Sequence, residues 1–283
     1  MGNGMMKRRL AAGSLAVALA AATAARADGA PPAAQGYKPG TLEYGIFVGG
    51  LVYPSYPSAK GHSHKVVPVP YLHYEGRFFS IGGGSIAAAH VVKKPRLKFD
   101  VSLAGSFDAN SSSVPARAGM PSLHYIFEAG PVVTYRLGQA LAATWTAEIP
   151  LRAVFQTDLH SLHFLGESFS PGVAAHWAMK GAGNADATVR LHAIFASRGV
   201  QDYFYTVAPS YATPSRPAYS ARAGYLGSEL AITYGRDLSP RVRIFGYARL
   251  GFYGGAANHG SPLFGQNVTT TFGLALRTKL GVW

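Results

Sequence analysis

Apolar and polar residues alternate along most of this chain with a period of two. In the closing segment "TTTFGLALRTKLGVW", Phe272, Leu274, Leu276, Leu280 and Val282 fall on one parity. Gly273, Ala275, Arg277, Lys279 and Gly281 fall on the other. A period of two sends such sets to opposite faces of a β-strand. The same pattern recurs upstream. "LKFDVSLAGSF" sets Leu97, Phe99, Val101, Leu103 and Phe107 against Lys98, Asp100, Ser102 and Ser106. "HYIFEAGPVVTYRL" opposes Tyr125, Phe127, Val133, Tyr135 and Leu137 to His124, Glu128, Thr134 and Arg136. "LAATWTAEIPLRAVF" opposes Trp145, Ile149, Leu151 and Phe155 to Thr144, Thr146, Glu148 and Arg152. Val189, Leu191 and Phe195 oppose Thr188, Arg190 and His192, and Leu230, Ile232 and Tyr234 oppose Glu229 and Thr233. In "RVRIFGYARLGF", Arg241, Arg243 and Arg249 share their face with Phe245 and Tyr247. Segments 42–53 and 66–74 read as strands by composition, with Pro68 and Pro70 both on the even face.

Eleven segments are visible, and "RFFSIGGGSIAAAHVV" divides at Gly82-Gly83-Gly84-Ser85 into two. These segments run about 9–14 residues, the reach of a strand crossing a bilayer at a tilt and longer than most sandwich strands. Aromatic residues such as Trp145, Tyr125, Tyr135, Tyr234 and Phe155 sit near segment ends, where interfacial girdles belong. The expectation is an all-β fold, a single antiparallel transmembrane β-barrel of about 12 strands, with ten as the alternative because such barrels have even strand numbers. No helix-period segment is evident. Short turns are expected at 75–77, 93–96, 137–139, 180–186 and 237–240. Longer loops are expected at 54–64, 108–121, 197–218 and 255–267, with the long loops outward and the short turns periplasmic.

The first 27 residues stand apart. Lys7, Arg8 and Arg9 precede an apolar, Ala-rich run from Leu10, and Ala25-Arg26-Ala27 fits a cleavage site. Residues 1–27 are therefore expected to be a cleaved secretory signal peptide and 28–283 the barrel. Losing Lys7, Arg8, Arg9 and Arg26 lowers the net charge from +13 to +9, which favours anionic partners. Nucleic acid is not expected, because an exported chain seldom meets it and no recognition motif is present. The chain has no Cys, which argues against a disulfide scaffold or thiolate metal site. Mean hydropathy is slightly positive at +0.09, yet no apolar run of spanning-helix length follows the leader.

In the last strand, counting back from Leu280 puts Thr278, Leu276, Leu274 and Phe272 on the lipid face, with Gly281-Val282-Trp283 as an extension. Counting from Trp283 would put Lys279 and Arg277 into lipid at about 2–4 kcal/mol each near the midplane. The first register is expected to be the one presented to the barrel assembly machinery.

The stretch "YGIFVGGLVYPSYPSAKGHSHKVVPVPYLHYEGRFFSI" (44–81), "FEAGPVVTYRLG" (127–138) and the order of motifs over 201–262 resemble the MipA/OmpV outer-membrane proteins. That resemblance implies location in the cell outer membrane of a Gram-negative bacterium. It also implies a scaffold role, with a murein transglycosylase and a murein polymerase as partners besides outer-membrane lipids. The chemistry read from residues alone is sparse. His62-Ser63-His64 lacks a nearby carboxylate or Cys and reads as a solvated loop. His160 and His163, three apart, fall on opposite faces of a strand and read as structural. Glu128, Glu148, Arg152, Arg190, Asp100 and Lys98 read as a salt-bridged polar plug. Ser111 to Ser113 with His124 supply the residue types of an outer-membrane lipid hydrolase, but no motif surrounds them. No catalytic, cofactor or metal site is expected, and the chain is read as a non-enzyme. The alternative function is a narrow channel for small anionic solutes.

Overall fold

Alternation this regular needs one apolar and one polar environment, and a closed sheet supplies both without exposing an edge. The computed structural model describes residues 40–82, 87–106, 114–179, 181 and 183–283, so the leader at 1–27 and Ser111 to Ser113 lie outside the described residues. Its strands are β1 (Leu42–Pro54), β2 (His62–Glu75), β3 (Phe79–Ile81), β4 (Ala87–Lys93), β5 (Leu97–Ser106), β6 (Tyr125–Ala140) and β7 (Ala143–Thr157). They continue as β8 (Leu162–Phe169), β9 (Gly172–Met179), β10 (Ala185–Ala196), β11 (Gly224–Asp237), β12 (Val242–Phe252) and β13 (Val268–Val282). Apart from β8 and β9, each pairs antiparallel with its sequence neighbours, and β13 closes on β1.

β8 and β9 act as one wall strand. Both pair with β7 on one side and β10 on the other, and only Ser170-Pro171 separates them. Pro171 cannot donate, so it interrupts the ladder, while its carbonyl still accepts from the Ala193 N–H at 3.0 Å. The wall therefore has twelve strands, as the parity argument and the division at Gly82 expected. Gly82 has φ +75, which suits a turn, and residues 83–86 lie outside the described residues.

Four expectations need correction. The turn placed at 137–139 lies at Leu141-Ala142, where both residues adopt positive φ, as a two-residue hairpin turn requires. Gly138, at φ +151, instead sits in a bulge where the β6–β7 register shifts. His62 and His64 lie within β2, on its outward face, because β2 continues the β1 pairing through Pro54↔His62. Gly281 to Trp283 are no overhang: a register shift between Tyr44 and Gly45 lets the ladder continue. Leu42 and Trp283 then exchange backbone hydrogen bonds of 2.9 and 2.8 Å. Finally, a helix occurs, α1 (Arg198–Tyr205). At two turns it is too short to show a helical period against its surroundings.

The lipid-facing parity is the one the sequence indicated. Leu97, Val101, Tyr135, Ile149, Leu151, Leu191, Ile232 and Tyr234 are all exposed on the wall. Outward rings also meet in belts. Phe155 lies 6.5 Å from Phe127 and 5.5 Å from Phe164, and Phe195 lies 6.2 Å from Phe169 and 5.6 Å from Tyr225. At the opposite end the Trp145 and Trp177 indole N–H groups donate to the carbonyls of Ala140 and Leu141. Aromatic bands at both rims are the pattern of a membrane-crossing barrel. The four long loops all emerge at one end, and both ends of the barrel wall, Leu42 and Trp283, lie at the other.

Candidate functional site: the lumen and its cap

Residues of the polar parity point into the lumen, where charge is costly unless paired. Pairing is what the strands provide. Arg190 on β10 reaches Glu148 on β7 at 3.0 Å, with both side chains almost wholly buried. Glu229 on β11 is met by His192 at 3.4 Å and Arg249 at 3.3 Å. Arg249 also donates to the Thr271 hydroxyl. Toward the short-turn end, Asp100 accepts from Lys98 at 2.8 Å and contacts His90 Nδ1 at 2.7 Å. Glu43 lies 3.4 Å from Arg277 and 3.7 Å from Lys279 across the closing seam. Arg243 pairs with both Asp186 and Asp237. Arg152 donates to Ser102 at 3.1 Å, and Glu128 is buried on the same inner surface.

The six residues expected to form a polar plug are thus all lumenal. Lys98 pairs with Asp100, and Arg190 with Glu148. His160 bonds its own turn through the Asp158 carbonyl, and no residues among those described cluster as a metal site. His124 lies exposed at the head of β6, its carbonyl accepting from Tyr203.

The loops at the long-loop end fold into a cap with its own core, which sequence reasoning missed. Tyr56, Ala59, Val114, Leu123, Val200, Phe204, Tyr205, Val207 and Leu263 pack together there with strand residues Ile126, Val154 and Ile194. A possible signal was the aromatic density of 203–219, which holds Tyr203, Phe204, Tyr205, Tyr211 and Tyr219.

Buried polar groups lock these loops. The Tyr56 hydroxyl donates to the Leu263 carbonyl at 2.6 Å and the Tyr205 hydroxyl to the Pro57 carbonyl at 2.9 Å. Asn258, fully buried, donates to Gln201 Oε1 and the Arg222 carbonyl and accepts from the Tyr219 hydroxyl. Arg117 is buried as well, donating to the carbonyls of Phe204 and Pro121 and lying over the Tyr56 ring. Burial pulls the Arg117 pKa down and pushes that of the Tyr205 hydroxyl far up, so Tyr205 stays a neutral donor. Arg216 latches two loops together through the carbonyls of Tyr211, Ala116 and Ala118.

Between cap and ion pairs lies a cavity of about 120 Å³. Leu51, Leu123, Ile126, Val154, Ile194 and Phe204 supply apolar walls, and Glu128, Glu229 and Arg249 border it on the lumen side.

Comparison with solved structures finds barrels of low similarity. They include a NanC porin (8% identity, TM-score 0.39, 83% of this chain and 100% of that one) and the CymD monoaromatic hydrocarbon channel (10%, 0.31, 86% and 89%). A Pseudomonas aeruginosa FadL homologue is also matched (10%, 0.29, 75% and 60%). Comparison with curated proteins gives no match. The family model described as MltA-interacting protein MipA matches residues 46–278, which runs from the first wall strand to the last. With twelve strands, an ion-paired lumen and that match over most of its length, this chain belongs to the MipA family of outer-membrane barrels.

Proposed function

We propose that this protein is a scaffold in the outer membrane of a Gram-negative bacterium, delivered by a cleaved leader at 1–27, and that it neither conducts solutes nor catalyses a reaction. The observation that carries this reading is the paired charge of the lumen beneath a folded cap. Its cations are engaged by carboxylates, as in Arg190–Glu148 and Arg249–Glu229, and folded loops lie over one mouth. A channel for anions would instead hold cations free for a passing solute.

Surfaces are then left to do the work, and the short-turn end is cationic. Arg77, Lys94, Arg96, Arg136, Arg236 and Arg241 are all exposed around it. In the proposed orientation this rim faces the periplasm and suits an acidic partner. The family description names an interaction with MltA, a murein transglycosylase, and a murein polymerase would complete the assembly.

Two measurements test the reading together. The purified protein in a planar bilayer should pass no steady current, and stable openings would refute the scaffold in favour of the anion channel. Immobilised on beads, it should retain a murein transglycosylase from envelope extract. Reversing Arg96 and Arg241 to Glu should abolish that retention, and retention unchanged by the reversal would remove the cationic rim from the account.

A further inference from the structure

The outward face of β2 changes chemistry once along its length. Tyr74, Leu72, Pro70, Pro68 and Val66 make it apolar from the short-turn end upward, and His64 and His62 follow at its head. A strand tilted by about 40° climbs the barrel axis by about 2.5 Å per residue, so an apolar band about 25 Å tall takes up about ten residues. Counted from Tyr74, that band ends at His64. The two imidazoles therefore stand where hydrocarbon gives way to water at the cap end of the wall.

The ladder holds the pair in place. His62 faces Pro54 and His64 faces Val52 across the β1–β2 register, and the Ser55 N–H donates to the Gly61 carbonyl at 3.1 Å to close the hairpin. The alternate residues turn the other way. The Ser63 hydroxyl lies 3.1 Å from that of Ser55, and the Lys65 ammonium lies 4.9 Å from the centre of the Tyr125 ring. Both histidines are exposed. The side chains of Pro54 and Val52 offer them no polar group, and among the described residues neither ring has a hydrogen-bond or ion-pair partner.

A neutral imidazole keeps one nitrogen lone pair, and it is a ligand for Zn, Ni and Cu, where Mg and Ca prefer oxygen. Residues i and i+2 of a strand stand about 6–7 Å apart on one face. Two metal–nitrogen bonds of about 2.0–2.1 Å bridge them when the rings lean together. No group of three or more ligating side chains occurs among the described residues. The pair thus fills two positions of a coordination sphere and leaves the others to water or to oxygens of a neighbouring headgroup. For such a nitrogen site Cu(II) ranks above the other late first-row divalent ions.

We propose that His62 and His64 form a two-imidazole site for a late first-row divalent cation, Cu(II) foremost, on the outer wall where the membrane meets the cap. It shares no residue with the lumen or the cationic rim, so it stands or falls apart from the scaffold reading.

Electron paramagnetic resonance of Cu(II) added to the full-length protein, purified into detergent without a polyhistidine tag, tests this. One equivalent should bind with the nitrogen couplings of two imidazoles. His62→Gln and His64→Gln should each weaken binding at least tenfold, while His163→Gln, on β8, should leave it unchanged. Both substituted side chains face out of the wall, so heat-modifiable migration should be retained, and either variant suffices if the other fails to fold. Cu(II) should also raise the thermal unfolding midpoint of the native chain and lose that effect in the variants. Binding that survives both substitutions, or couplings from a single imidazole, overturns the site. Unchanged Cu(II) affinity with less lipopolysaccharide carried by the variants would make the pair, with exposed Lys60 just above it, a contact for headgroup phosphate, and overturns the metal reading.

Discussion

Single residues in this wall are decided by which parity they occupy. Leu151 is half exposed near the middle of β7, and five positions away Thr146 points inward, donating to Glu148 at 3.4 Å. Leu151→Arg places a cation in lipid at about 2–4 kcal/mol. Thr146→Arg adds one beside a carboxylate. Heat-modifiable folded protein should fall sharply for the first and little for the second; equal losses would show the faces to be wrong. The lumenal pairs answer to different physics. Arg190→Met leaves Glu148 buried and short of its guanidinium, which should lower stability by about 3–5 kcal/mol. Replacing both, as Arg190→Met with Glu148→Gln, should recover most of that loss. Denaturant midpoints of the two single variants and the double decide the matter, and additive losses would mean that the pair is not coupled.

At the scale of elements, the closing strand shows how register and chemistry act together. Leu280 is well exposed on the lipid face, and Gly281 and Val282 pair with Tyr44 and Glu43 beyond the register shift. Deleting residues 281–283 removes those pairs and the two Leu42–Trp283 hydrogen bonds. It leaves the ladder from Gly45↔Lys279 to Val52↔Phe272 intact. Insertion should persist with a lowered melting temperature. Leu280→Asp should assemble far less, because it sets a carboxylate on the lipid face at the seam. Folded yield in the outer membrane separates the two accounts: a deletion that fails while Leu280→Asp inserts would make Trp283 the assembly signal.

The whole molecule has two unlike ends, and its orientation follows from them. The loops form a packed cap, whereas the other end carries short turns, both ends of the wall and the cationic rim. Because the native chain has no Cys, single cysteines report on sidedness without background. Ser215→Cys, in the cap, should react with an impermeant maleimide on intact cells. Lys94→Cys should react only once the outer membrane is breached, and the reverse pattern would invert the proposed topology.

Much of the architecture was legible in the chain itself because alternation is a local property. Leu276 and Arg277 must part to opposite faces wherever the strand lies, so inward and outward sets, barrel class and strand number followed from parity and length. The lumenal residues were legible as a set, but their partners were not. Arg190 and Glu148 are 42 positions apart, and only the pairing of β7 and β10 to opposite sides of β9 brings them together. The same holds for the turn at Leu141-Ala142, because Gly138 reads as a turn glycine in the sequence but serves a one-residue bulge in a strand that continues to Ala140. The cap was least visible. Its loops carry no periodicity, and Tyr56, Arg117, Tyr205 and Leu263 become a core only when the closed wall delivers four distant loops to one rim. Pro68 and Pro70 mark the division most plainly. The chain placed them on one parity, and only the β1–β2 register set that parity on the outward face, opposite Val48 and Ile46. Local alternation sets which way a side chain points; sheet closure sets what it meets there.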